Sequence, residues 1–250
     1  MTSPPSVLVV GATGATGKLV VRQLLDQKIK VSVIVRSKER MVEAIGDHPH
    51  KDLLSILEAP SLQPQDLSDS DLKKQVEGVD MIVSCLGHNL SFQGIWGHPR
   101  RLVTDTVRRL TSTGATDKKF ILMGSDGVAH ANDTVRPWLE RSIIFLLRHL
   151  VPPQADNEEA AAYVNGLPQD AIEWVVVRPT DLIDTDEPTP YTVYEKPPGS
   201  LFGSGEASRA TVAKFMVDLI RDGSLWNKYK YQMPVLHNEK EGRIRSRLGE

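Results

Sequence analysis

Four consecutive apolar residues, Val7 to Val10, run directly into Gly11-Ala12-Thr13-Gly14-Ala15-Thr16-Gly17, and a helical pattern follows at once with Leu19, Val20, Leu24 and Leu25. A short, unbroken apolar run is the signature of a strand covered on both faces, as in the middle of a parallel sheet. Each glycine in the turn answers a steric need. Gly11 permits a sharp bend, Gly14 lets the backbone approach a pyrophosphate, and Gly17 lets the helix pack tightly on the strand. Turn amides, those of Thr13, Ala15 and Thr16 included, then face the phosphates together with the positive end of the helix. A nucleoside triphosphate loop is excluded on two counts: Ala12 stands where its first glycine belongs, and Leu19 where its hydroxyl belongs. The spacing GxxGxxG in this setting points to a dinucleotide.

Val31 to Val35 is the next strand, and Arg36-Ser37 follows it, where the adenosine ribose of a dinucleotide would lie. An acidic residue there would bind the free 2′-hydroxyl of NAD. The first acid is Glu39, whereas Arg36 can stack on adenine and pair with a 2′-phosphate, with Ser37, Lys38 and Arg40 adding donors or positive charge. The expected cofactor is therefore NADP(H), with NAD as the alternative.

Strands and helices continue to alternate. Asp69 to Glu77 reads as a helix, Met81 to Cys85 as a strand, Arg100 to Thr113 as a helix and Phe120 to Met123 as a strand. Asn157 to Val164 is helical and leads into a strand from Glu173 to Val177. The fold class this predicts is α/β, a doubly wound parallel sheet of the Rossmann type. From about residue 180 the prolines at 188, 190, 197 and 198 and the glycines at 199, 203 and 205 predict a small C-terminal substrate lobe of long loops, before a helix from Thr211 to Arg221. The expected organisation is one domain over residues 1–238 and a loosely held charged tail over 239–250.

Composition narrows the partners. A net charge of -2 with acids and bases interspersed leaves no basic field for nucleic acid. The lone Cys85 cannot form an internal disulfide, and Met1 to Ser6 is too short and uncharged for a signal peptide, so a cytoplasmic protein is expected. The greasiest stretch, Ser142 to Val151, contains Arg148 and His149 and falls far short of the ~20 apolar residues of a spanning helix. No membrane partner and no metal site are expected.

With these residues in hand, the chain resembles the short-chain dehydrogenase/reductase superfamily, in its atypical branch of NAD(P)H-binding proteins related to flavin reductase and NmrA-like regulators. The resemblance spans nearly the whole chain and rests on the glycine turn, Asp66-Leu67, Ser84-Cys85-Leu86-Gly87, Gly124-Ser125, Arg178-Pro179-Thr180 and Ser208 to Ala213, in that order. It implies that Asp66 and Leu67 contact adenine and that the strand end Cys85-Leu86-Gly87 passes beneath the cofactor. It also implies that Pro179, Thr180 and Leu182 lie near the nicotinamide, and that Ser125 hydrogen-bonds substrate. A turn or capping role for Asp66 and a packing role for the Cys85 thiol are the competing readings.

The chain departs from that superfamily where proton transfer is concerned. Its usual Tyr-x-x-x-Lys pair is missing: Tyr163 has Leu167 four positions on, and residues 151–173 contain no lysine. Asp156, Asn157 and Glu158 occupy the corresponding stretch. Asp156 and Asn157 join Ser125 as catalytic candidates, although carboxylates at a helix start more commonly cap it. His88-Asn89, Trp96 and His98 form a candidate substrate region on the loop after the fourth strand, and Trp138 to Val151 is a helix with core packing as its default role.

Two functions accommodate these features. One is a reductase passing hydride from NADP(H) to a small carbonyl, quinone or flavin-like acceptor. The other is a non-catalytic sensor that changes its contacts with a protein partner according to cofactor state.

Overall fold

The computed structural model describes residues 4–88, 100–135, 137–150, 152–198 and 205–239. Asn89, Trp96, His98 and residues 240–250 lie outside them.

The first strand, β1 (Val7–Val10), sits in the middle of the sheet, with β2 (Val31–Val35) on one side and β4 (Met81–Ser84) on the other, both parallel to it. Beyond β2 lies β3 (Leu54–Glu58); beyond β4 come β5 (Lys119–Met123), β6 (Glu173–Pro179) and, later in the chain, β10 (Val235–Asn238), all parallel. A last strand, β8 (Tyr191–Tyr194), pairs antiparallel with β10. The order is therefore β3-β2-β1-β4-β5-β6-β10-β8, and a separate pair is formed by β7 (Asp181–Ile183) and β9 (Glu206–Ser208). Because the chain winds outward from β1 to β3 and then crosses to β4, the sheet reverses direction between β1 and β4. A crevice opens outside the carboxyl ends of strands at such a reversal.

Burial on both faces is visible within β1 itself. Val7 and Val9 join one core with Val20 and Leu24 of α1 (Gly17–Asp26) and Phe215 and Met216 of the helix Arg209–Arg221. Leu8 and Val10 join the other, with Leu72 of α3 (Asp69–Glu77), Val107 and Leu110 of α4 (Leu102–Ser112), and Ala160 and Val164 of α6 (Pro152–Asn165). The period-two alternation of a strand thus feeds two layers of helices.

Four elements depart from the sequence expectations. The edge strand β3 and the helix α2 (Lys38–Ile45) carry no strong periodic pattern, and only Met41 and Ile45 of α2 are buried. The helix expected from Asn157 begins at Pro152 instead, since proline has no amide hydrogen to lose in a first turn. The helix α5 (Trp138–Leu150) is not a core element by default: Trp138, Leu139, Phe145 and Leu146 are 55–76% exposed. Among the described residues no helix is long and apolar enough to cross a membrane.

Candidate functional site

Gly11 adopts φ +75°, and a Cβ there would stand 2.6 Å from the carbonyl carbon and oxygen of Cys85 and 2.8 Å from the amide nitrogen of Leu86. The turn after β1 therefore lies directly on the chain leaving β4, at the point where the sheet reverses. A Cβ on Gly17 would overlap the Gly11 carbonyl, so the helix can start this close to the strand only without a side chain. At Gly14 a Cβ would meet only the Gly11 oxygen, at 3.1 Å, and Gly14 and Ala15 are exposed. Space is thus left beside the turn for a ligand. The helix begins with no acidic residue in its first turn and no side-chain cap, which preserves its positive end. This steric pattern fits a pyrophosphate.

At the carboxyl end of β2, Arg36 is exposed and makes no ion pair among the described residues. Ser37 does not remain available as expected. Its hydroxyl accepts from the Arg40 amide at 3.2 Å and donates to Glu39 at 3.0 Å, because it caps α2. Arg40 and Thr13 both line a polar groove of about 850 Å³, most of whose walls come from Lys18 to Asp26 of α1, Glu43 and Ala44 of α2, and Lys214 to Arg221 of the helix Arg209–Arg221.

On the far side of that end, Asp66 is an exposed turn residue whose carboxylate accepts from Ser61, and Leu67 is buried. The segment is clamped by a residue the sequence reading missed. Arg109, on α4, donates to the carbonyls of Leu62, at 2.7 Å, and Leu67, and to Asp69 at 2.7 and 3.0 Å. Nothing local in the sequence marks Arg109, since its partners lie forty or more positions away.

The strand end after β4 divides in character. The Cys85 thiol points into the core, 3.9 Å from the Met216 sulfur, and burial pushes its pKa up to about 12. Only its backbone can meet a cofactor. Leu86 is half-buried, while Gly87 is exposed, with nothing within 4 Å of where its Cβ would stand. His88 then turns inward, its side chain 5% exposed, and its Nε2 lies 2.7 Å from Asp156 Oδ2.

Asp156 is 2% exposed. Besides His88 it accepts from the amides of Val103, at 2.8 Å, and Thr104, at 2.9 Å, so it caps α4 rather than its own helix. Burial works to raise its pKa, but the hydrogen bonds from His88, Thr104 and Val103 outweigh that and hold it below the ordinary carboxylate range. The expectation that Asp156 exchanges a proton with substrate is corrected here: a buried carboxylate with both oxygens engaged orients its partners instead. Asn157 sits half-buried beside it.

Ser125 follows β5, adjacent to β4. Its Oγ is buried and lacks a hydrogen-bond partner among the described residues. A buried hydroxyl left open is costly unless something else satisfies it. A Cβ at Gly127 would lie 3.6 Å from that Oγ and 3.1 Å from Gln154 Nε2, so the Ser125 loop packs on α6 two residues before Asp156. Near β6, Pro179 and Thr180 are buried, and the Thr180 hydroxyl is spent on the Leu236 carbonyl at 3.3 Å, while Leu182 is half-buried in β7. Tyr163 is a packing residue: its hydroxyl meets Thr111 at 3.2 Å and its ring lies 5.2 Å below the Arg108 guanidinium carbon.

Residues 11–223 match the model of the NAD(P)H-binding family. The chain belongs to that family. Its fold is shared by solved structures across nearly its whole length. An NADP-bound short-chain dehydrogenase/reductase of wide type from Veillonella parvula superposes with TM-score 0.66 at 15% identity, covering 94% of this chain and 95% of its own. A candidate NADH-flavin reductase from Streptococcus pneumoniae gives 0.68 at 17%, covering 94% and 100%. An anaerobilin reductase from Escherichia coli O157:H7 gives 0.64 at 15%, covering 94% and 98%. At these identities the likeness is one of fold. No curated protein matches the sequence. In this NAD(P)H-binding protein the matched region starts at Gly11 of the glycine turn.

Proposed function

We propose that the protein is a cytoplasmic NADP(H)-dependent reductase of a small carbonyl, quinone or flavin-like acceptor. The observation that carries the reading is the turn at Gly11, folded onto the end of β4 with an uncapped helix behind it and, at the end of β2, an exposed Arg36 that makes no ion pair among the described residues. When bound, the nicotinamide supplies hydride. Gly11, Thr13, Gly14, Ala15, Thr16 and Gly17 hold the pyrophosphate, Arg36 the 2′-phosphate, Asp66 and Leu67 border adenine, and the backbone of Cys85 to Gly87, with Pro179, Thr180 and Leu182, borders the ribose and nicotinamide. Ser125 offers its open hydroxyl to the acceptor. The NADP carried by the Veillonella structure and the reductase names among the fold neighbours support the same reading.

The test is NADPH consumption by the wild-type protein with benzaldehyde, menadione and FMN as acceptors. Turnover with one of them supports the proposal; tight NADPH binding with no turnover overturns it. That second result would favour the sensor, for which the exposed apolar face of α5 offers a surface to a protein partner.

A further inference from the structure

We propose that Arg109 is a positioning residue of the cofactor site: by holding the carbonyls of Leu62 and Leu67, it keeps the segment between β3 and α3 in the shape that receives the adenine end of the dinucleotide. The inference rests on the reading that Asp66 and Leu67 border adenine. It assigns affinity for that end to a side chain that does not itself meet the ligand.

The segment lies where this requires. The Ala59 amide, just past β3, donates at 2.9 Å to the carbonyl of Val35, the last residue of β2. From there the chain crosses the carboxyl ends of the neighbouring strands. Ala59 and Leu67 share one buried cluster with Ile34 of β2 and Val10, the last residue of β1, and Leu62 packs against that cluster. Gly11 follows Val10 directly, so the segment and the glycine turn stand at the same end of the sheet, on the side where the adenosine half of a dinucleotide lies.

The segment closes on itself but is tied down from outside. The amides of Asp66 and Leu67 both donate to the Gln63 carbonyl at 3.0 Å, while the Ser61 hydroxyl accepts from the Gln63 amide at 3.1 Å and donates to Asp66. Among the described residues, the only hydrogen bonds from residues 60–67 to the rest of the fold are those with Arg109. One Nη1–H of Arg109 goes to Leu62 and one Nη2–H to Leu67, while the other Nη2–H and Nε–H go to Asp69 at the start of α3. With its fork spent in this way, and its side chain 11% exposed, the guanidinium acts through the segment. Its own base is firm: α4 buries Val103, Val107 and Leu110 and is capped at its start by Asp156.

A segment held in advance spares the ligand the cost of ordering it. Fixing even one backbone residue at the moment of binding costs roughly tenfold in affinity.

Arg109→Met tests the assignment, because methionine keeps much of the apolar stem and removes every donor. Calorimetric titration should show affinity for NADPH, and for adenosine 2′,5′-bisphosphate as the adenosine end alone, weakened by the same factor of roughly tenfold or more. Hydrogen exchange in the ligand-free variant should quicken at the amides of residues 61–67 and little elsewhere. Arg109→Lys, which keeps the charge and can reach one carbonyl, should lose less, and it carries the test if the methionine variant does not fold. Unchanged NADPH affinity, a loss for NADPH that the bisphosphate does not share, or exchange quickened equally throughout α3 and α4 would each overturn the assignment and leave the cofactor site standing. A wild type that binds neither nucleotide would overturn both.

Discussion

Arg178 and Asp133 form a two-pronged ion pair, at 2.6 and 3.0 Å, with the guanidinium wholly buried and the carboxylate 11% exposed. The same guanidinium also donates to the carbonyls of Met233, at 2.6 Å, and Val128, at 2.9 Å. It therefore ties the loop that follows Ser125 to β6 and to the chain entering β10. Removing one partner strands a charge out of water, which costs about 3–5 kcal/mol for a buried pair. Arg178→Met should lower the unfolding free energy by that order in urea denaturation, and adding Asp133→Leu should restore part of the loss. Equal stability of Arg178→Met and wild type would refute the structural role of this pair.

The turn at Gly11 gives a prediction of a different kind. With φ at +75° and the Cys85 carbonyl in the place of a Cβ, alanine must displace the end of β4. Gly11→Ala should abolish measurable NADPH binding and cost about 2 kcal/mol of stability or more, from backbone strain alone. Fluorescence titration with NADPH and a denaturant melt report the two effects separately. Wild-type affinity in a folded Gly11→Ala protein would show that the turn is not the cofactor site.

Asp156 makes the acid limb of stability predictable. Its folded-state pKa is lowered, so near the ordinary carboxylate value of about 4 the unfolded chain binds more protons than the folded one. Stability from this group is complete above that value and is lost as pH falls through the lower, folded one. Melting temperatures of the wild type should therefore decline below about pH 4 more steeply than those of Asp156→Asn. Parallel curves for the two proteins would contradict an ionised Asp156 in the folded state.

The buried thiol provides a check on the core rather than the site. With Cys85 packed against Met216 and its pKa raised by burial, iodoacetamide should leave the native protein unmodified at neutral pH and label it once urea unfolds it. Rapid labelling of the native protein, measured by mass spectrometry, would place the thiol elsewhere.

What the sequence disclosed follows a physical division. Val7 to Val10, the glycines and the apolar periodicity of α1 are local signals, and the turn they predict is where it was expected. β3 and α2 escaped notice because an edge strand and a helix burying only Met41 and Ile45 leave little periodicity. Partnerships across the fold were out of reach. Asp156 read as a cap of its own helix until Val103, Thr104 and His88 were brought to it from more than fifty positions away, and Ser37 read as a ligand although α2 needed its hydroxyl. Arg109 and Arg178 likewise acquire meaning only from chain distant in sequence.

The central claim, that the glycine turn and Arg36 together hold NADP(H), is tested most directly by calorimetric titration of wild type and Arg36→Ala with NADPH and with NADH. A charge-assisted contact is worth about 1.5–3 kcal/mol, so the wild type should bind NADPH roughly ten- to a hundredfold more tightly than NADH, and Arg36→Ala should erase most of that difference while leaving NADH affinity nearly unchanged. No binding of either nucleotide, or equal weakening of both by the substitution, would contradict the account.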